Sequence, residues 1–177
     1  MLEFNTNTKS PNSSHQTNSE LFLEGGFKLS SLEILNWGTF DGKIWKIETD
    51  GKGALITGEN GSGKSTLVDA ILTLLVANNK RNYNLSSGSG KRERSESTYV
   101  RGAYGNKMEE LGVAKTKFCR EEGKTYSILL AQFENLVLYG KITLAQFFWY
   151  DRGELKKFYI TSTKDLSISH HFTDFQT

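Results

Sequence analysis

The chain has 177 residues, enough for one domain or part of one at the usual ~100–200 residues each. Hydrophobic residues make up 37% and charged residues 24%, so a core can form if the most polar segment lies outside it. Lys plus Arg at 22 against Asp plus Glu at 20 gives a net +2, which excludes a globally basic nucleic-acid binder, and the lone Cys119 excludes an internal disulfide framework. No run approaches the ~18 apolar residues of a membrane span, and the N-terminus lacks a charged-then-apolar signal layout. The expectation is an α/β chain with α+β character, cytoplasmic and without a membrane partner.

In chain order, residues 1–20 are dominated by Asn, Ser and Thr and hold the only proline, Pro11, so they read as a polar disordered tail. An apolar stretch from Phe27 to Trp37 reads as a strand, with turns expected at Gly38 and at Asp41-Gly42. Ile44 to Glu48 alternates weakly, Asp50-Gly51 turns, and Ala54-Leu55-Ile56-Thr57 reads as a short buried strand. Leu67 to Ala77 is apolar nearly all round without Gly or Pro, which predicts a buried helix. Residues 78–98 read as a loop. Thr125 to Phe133, Leu136 to Tyr150 and Leu155 to Ile160 then read as strands, and their short connections require antiparallel hairpins.

Between the expected strand and helix lies Gly58-Glu59-Asn60-Gly61-Ser62-Gly63-Lys64-Ser65-Thr66, a full match to G-x-x-x-x-G-K-[ST]. A chain that wraps a phosphate with successive N–H groups inward has no room for bulk at Gly58, Gly61 and Gly63. The helix behind it adds its N-terminal N–H groups and the positive end of its dipole. Lys64 can then reach the β- and γ-phosphates of ATP, the Ser65 hydroxyl can ligate Mg2+, and Thr66 can touch the α-phosphate. A chance match to the four fixed positions is on the order of one per cent for a chain of this kind. All nine residues from Gly58 to Thr66 are therefore assigned to nucleotide binding.

Four further patterns are weaker. Phe147-Phe148-Trp149-Tyr150-Asp151 looks like a strand ending in a metal-binding carboxylate, but Asp151-Arg152-Gly153-Glu154 is good hairpin-turn chemistry, and the turn is preferred. Leu85-Ser86-Ser87-Gly88 resembles an ABC-type signature but follows the loop by only some twenty residues, and Asn78-Asn79-Lys80-Arg81 lacks the aspartate that reads guanine. His15, His170 and His171 form no metal-ligand set.

The order of elements, with the run Asn60 to Thr66 followed by Leu67-Val68-Asp69-Ala70-Ile71, resembles the N-terminal half of an SMC/Rad50/RecF-type ATPase head. Tyr83-Asn84, Arg94, the run Tyr99-Val100-Arg101-Gly102-Ala103-Tyr104-Gly105 and the run Tyr126 to Ala131 are similar to the MukB-like branch, and within it to the SMC-like ATPase subunit of the Wadjet plasmid-defence system. The likeness covers about residues 29–172. It implies a P-loop NTPase of the ABC/SMC head type, with residues 21–177 forming the N-terminal lobe only, as a mixed sheet with antiparallel hairpins. It also implies that the general base, the metal aspartate and the signature motif lie in a C-terminal half, which makes this chain a truncated piece that hydrolyses little ATP alone. The implied partners are that C-terminal half, a second head, kleisin-type and accessory subunits, and DNA. Many such heads carry a basic residue in the turn after the first strand, where this chain has Gly38.

Two aromatic residues, Trp37 and Phe40, could stack on adenine, although a core position is the simpler reading for both. The 80–101 segment carries Lys80, Arg81, Lys91, Arg92, Arg94 and Arg101, which suits either a solvated loop or a DNA-backbone contact. Arg101, flanked by apolar and Gly residues, is the candidate for an arginine that reaches the γ-phosphate in cis. Two rival readings stay open: a compact P-loop kinase acting on a small metabolite, and a fragment without autonomous function.

Overall fold

A computed structural model describes residues 25–81, 83, 95–108, 114–121, 123 and 125–172. The expected tail at 1–20 lies outside these residues, as do Leu85 to Gly88, Lys91, Arg92 and Arg94. The elements are β1 (Lys28–Trp37), β2 (Phe40–Glu48), α1 (Lys64–Leu75), a 3-10 turn (Asn78–Lys80), α2 (Glu96–Arg101), β3 (Ala103–Met108), β4 (Ala114–Phe118), β5 (Tyr126–Asn135), β6 (Gly140–Asp151), β7 (Glu154–Ser162) and α3 (Ile168–His171). Five strands form one sheet in the order β2-β1-β5-β6-β7, and β3 pairs with β4 separately. Every registered pair is antiparallel.

Strands β1, β5 and β6 are central and are covered on both faces. Leu32 and Ile34 of β1 join Leu129, Ala131 and Phe148 against Leu67 and Ala70 of α1 and Tyr99 and Val100 of α2. The opposite face holds Leu35, Ile128, Leu130, Ala145 and Phe147 against Ile168 of α3. Simple alternation would send Trp37 to the α3 side with Leu35. Instead the register shifts between Leu35 and Trp37, where Asn36 at φ 55° stands opposite three residues of β2, and Trp37 turns to the α1 side. A left-handed residue interrupts the two-residue alternation of a strand, so the next side chain meets the other face. Trp37 is thereby completely buried and stacks on Tyr99 with centroids 4.8 Å apart.

Several boundaries differ from the sequence reading. Asp41-Gly42 lies inside β2, because Gly38 and Thr39 alone make the turn. The β5–β6 turn is Leu136–Tyr139, where Asn135 Oδ1 accepts the N–H groups of Val137 and Leu138 at 3.1 and 3.0 Å. This side-chain turn overrides the apolar character of the segment. The expected loop at 78–98 gives way to helix at Glu96, which Ser95 and Thr98 start with a reciprocal capping box. By contrast, Asp151 faces Glu154 across a two-residue turn with Arg152 at φ 50° and Gly153 at φ 80°, as hairpin chemistry requires.

The largest departure is Ala54–Thr57. It forms no strand, Leu55 is 89% exposed and Ile56 is 40% exposed. An apolar run becomes a buried strand only where neighbouring strands supply a ladder, and no described strand pairs with this segment. Helix α1 likewise buries Leu67, Ala70 and Thr73 while Val68 and Leu75 stay exposed, rather than being buried all round. No helix among the described residues is long and apolar enough to cross a membrane.

Candidate functional site

The glycine-rich loop runs from Gly58 to Gly63 at the surface and passes directly into α1. Gly58, Gly61 and Gly63 all have positive φ, at 152°, 83° and 93°. An added Cβ would lie 2.7 Å from Ser62 Oγ at Gly58 and 3.0 Å from the Phe40 ring atom Cζ at Gly63. The Ser62 N–H donates to Glu59 O at 3.2 Å and closes the loop's turn. Lys64 folds back across the loop, its Nζ donating to Gly58 O at 2.6 Å and to Glu59 O at 2.7 Å. An ammonium group is thus held at the loop's mouth beside the start of the helix.

The start of α1 has no side-chain cap and no acidic residue in its first turn. Uncapped N–H groups at a helix start favour an anion. Carboxylate competition is absent there, and Lys64 adds a full positive charge. The arrangement fits a polyphosphate. Ser65 and Thr66 follow in the first turn and offer hydroxyl oxygens. Among the described residues no cluster of three or more His, Cys, Asp or Glu could hold a metal ion. A hard cation that keeps water and phosphate oxygens, such as Mg2+, is the metal such a donor set suits.

Behind the loop, packing fixes the first turn of α1. Gly38 sits against Thr66, and Gly38 N–H donates to Tyr99 O at 2.7 Å. One turn on from Ser65, Asp69 is fully buried and accepts a hydrogen bond from the Tyr99 hydroxyl. The Thr73 hydroxyl donates to Asp69 O at 2.6 Å and lies 3.1 Å from the Tyr83 hydroxyl. Tyr83 meets Tyr99 edge-on at 5.2 Å between centroids. Burial pushes the Tyr83 phenol up from its ordinary value, against the opposing pull of its hydrogen bond to Thr73.

The other sequence candidates divide. Trp37 is a core residue and cannot stack on a base. Phe40 is partly buried and packs on Gly63 and on Trp45, with 5.3 Å between ring centroids. Arg81 leaves the set of possible DNA contacts. Its side chain is 3% exposed, it forms an ion pair with Glu96, and it donates to Val76 O at 2.5 Å and Thr73 O at 2.7 Å. Arg101 ends α2 with its guanidinium 3.7 Å above the Phe118 ring centroid. Asp69, Tyr99 and Arg120 were not singled out for roles by sequence reasoning. An acid on the inward face of an otherwise apolar helix was the available signal for Asp69, whereas Arg120 gave none.

A family model described as the P-loop containing region of AAA domain matches residues 29–90. Among solved structures, one from work on ATP-driven dimerization and DNA-stimulated activation of SMC ATPases is similar at 20% identity, covering 80% of this chain and 74% of the other with a TM-score of 0.44. No curated protein sequence matches the chain. Loop, helix and antiparallel sheet make a mixed α/β fold in which the segment similar to a P-loop containing region carries the glycine-rich loop and α1.

Proposed function

We propose that this chain is the ATP-binding N-terminal lobe of an SMC-like ATPase head acting on DNA. The observation that carries the reading is Lys64, held at the mouth of a positive-φ glycine loop in front of an uncapped, acid-free helix start. In this reading the backbone N–H groups of residues 58–66 bind the phosphates, Lys64 bridges the β- and γ-phosphates, and Ser65 ligates Mg2+. The metal neutralises charge on the phosphates when bound. Arg101, stacked on Phe118, is assigned to the γ-phosphate.

A C-terminal half of the same head and a second head would complete the site, and kleisin-type or accessory subunits and DNA belong to the same proposal. Exposed Leu55, Ile56, Val68 and Leu75 support completion by further polypeptide, since exposed apolar groups favour a covering surface. Within the superfamily, the Tyr99 to Gly105 and Tyr126 to Ala131 runs favour the Wadjet-type, anti-plasmid branch. The kinase alternative loses ground because the sheet is antiparallel throughout its registered pairs, whereas such kinases stack parallel βα units.

Calorimetry with MgATP tests the reading. The wild-type chain is expected to bind, and Lys64→Ala to weaken binding by about 100-fold, the scale of losing charge-assisted hydrogen bonds to phosphate. Binding that is absent in the wild type, or indifferent to Lys64→Ala, would overturn it.

A further inference from the structure

Arg120 follows β4 in a segment whose sequence carries no functional signature, yet its guanidinium is the most heavily used donor near the loop. The side chain is 9% exposed. Its Nε donates to Val100 O at 2.7 Å, one terminal nitrogen donates to Asp41 Oδ1 at 2.7 Å, and the other donates to Gly38 O and Tyr99 O, both at 2.9 Å. Its own backbone N–H donates to Arg101 O at 3.0 Å. Three of the four side-chain acceptors are carbonyls, two at the C-terminal end of α2 and one in the turn after β1. Helix-end carbonyls lack partners within their own helix, and a planar guanidinium can satisfy several at once. The fit is close. A Cβ on Gly102 would lie 2.6 Å from Gly38 O and 2.9 Å from the Arg120 terminal nitrogen.

The clamped groups are those that back the phosphate-binding loop. Gly38 rests on Thr66, Phe40 rests on Gly63, and the Tyr99 hydroxyl holds Asp69. From these contacts we infer that Arg120 is a positioning residue for nucleotide binding. It locks the turn after β1 and the end of α2 into one wall, and that wall sets the first turn of α1. The inference rests on the nucleotide-binding reading above and adds to it the residue that holds the loop's support. Lysine cannot replace it, because a point ammonium with three donors does not span three carbonyls and a carboxylate.

The test compares MgATP affinity and thermal melting for the full chain and four variants. Arg120→Gln is expected to weaken MgATP binding at least about tenfold, with Arg120→Lys intermediate and Asp41→Asn, which removes only the charge of a half-exposed partner, within about threefold. Arg81→Gln is the control, since Arg81 is buried still more deeply but grips the far end of α1 through Thr73 O and Val76 O. It should lower the melting temperature while leaving MgATP affinity within about twofold. Wild-type affinity in Arg120→Gln, or an equal loss in Arg81→Gln, would overturn the positioning role. If circular dichroism shows Arg120→Gln unfolded, Arg120→Lys decides: weakened binding by the folded variant supports the role, and wild-type binding removes it. A wild-type chain that binds no MgATP defeats the nucleotide reading itself, and this inference with it.

Discussion

The turn after β1 offers a substitution whose cost can be worked out before it is made. Gly38 has φ 57°, and a Cβ there would lie 2.5 Å from Thr66 Cγ2 and 3.3 Å from Tyr99 Cδ1. Gly42, four residues on, has φ 69° and open space around its missing side chain. Alanine at either position incurs the left-handed backbone penalty of about 1 kcal/mol. Only at Gly38 does a methyl group also enter well inside the ~3.5–4.0 Å carbon contact distance, which adds about 1–3 kcal/mol of overpacking. Gly42→Ala should therefore cost about 1 kcal/mol and Gly38→Ala about 2–4 kcal/mol. Urea titration of both variants, with and without MgATP, reads the difference. Because the clash pushes on Thr66, Gly38→Ala should also lose part of the stabilisation that MgATP gives, whereas Gly42→Ala should keep it. Equal destabilisation by the two alanines would refute the packing of the β1 turn against the start of α1. The same contact accounts for glycine at position 38: a side chain there would run into the helix.

Two other predictions follow from buried groups near α1. Glu96 accepts from Arg81, and both its carboxylate oxygens accept from Lys157 Nζ at 2.8 Å; Glu96→Gln strands two cations and should cost about 3 kcal/mol in a thermal melt at pH 7. A loss that added salt abolishes would place the pair in solvent instead. The Tyr83 phenol is raised by burial, so its folded value lies above the unfolded value of about 10. Its contribution should be fully present below pH 10 and fade as pH rises toward the folded value. Tyr83→Phe should flatten the urea midpoint measured from pH 8 to 11 relative to wild type. An unchanged alkaline slope would count against the burial of that phenol.

What the sequence makes legible is what short-range physics decides. Three glycines, a lysine and two hydroxyl residues at fixed spacing announce an anion loop, and the following residues start a helix with no acid near its N-terminus. Asp151 to Glu154 announces a hairpin because its turn chemistry is local. Ala54–Thr57 misleads for the opposite reason: four apolar residues carry no information about whether a neighbouring strand exists to pair with them. Trp37 is ambiguous in the same way, since the left-handed residue Asn36 decides which face it joins, and alternation alone assigns the wrong one. Helix α2 had a readable start in Ser95 and Thr98, hidden by the Ser- and charge-rich segment before it. Arg120 was illegible because its four acceptors come from two distant chain segments, up to 82 residues away. No window along the chain could bring them together.

The long-range contacts also explain why the loop needs a wall at all. Glycines that allow the loop to wrap a phosphate leave its backbone free in the absence of other restraint, and ordering each such residue costs about 1–2 kcal/mol. Lys64 offsets part of that cost by holding Gly58 O and Glu59 O, a pair of bonds that a phosphate can exchange for stronger charge-assisted ones. The rest must come from the fixed side, where Phe40 meets Gly63 and Gly38 meets Thr66. The sheet contributes to nucleotide binding through this second route: the bulge at Asn36 turns Trp37 under Tyr99, Tyr99 holds Asp69, and the start of α1 is set from behind. Chemistry at the loop's mouth and packing behind it are therefore separable. Lys64→Ala should weaken MgATP affinity by about 100-fold with only a small loss of stability, because its two loop bonds are exposed, and changes in the wall should lower both.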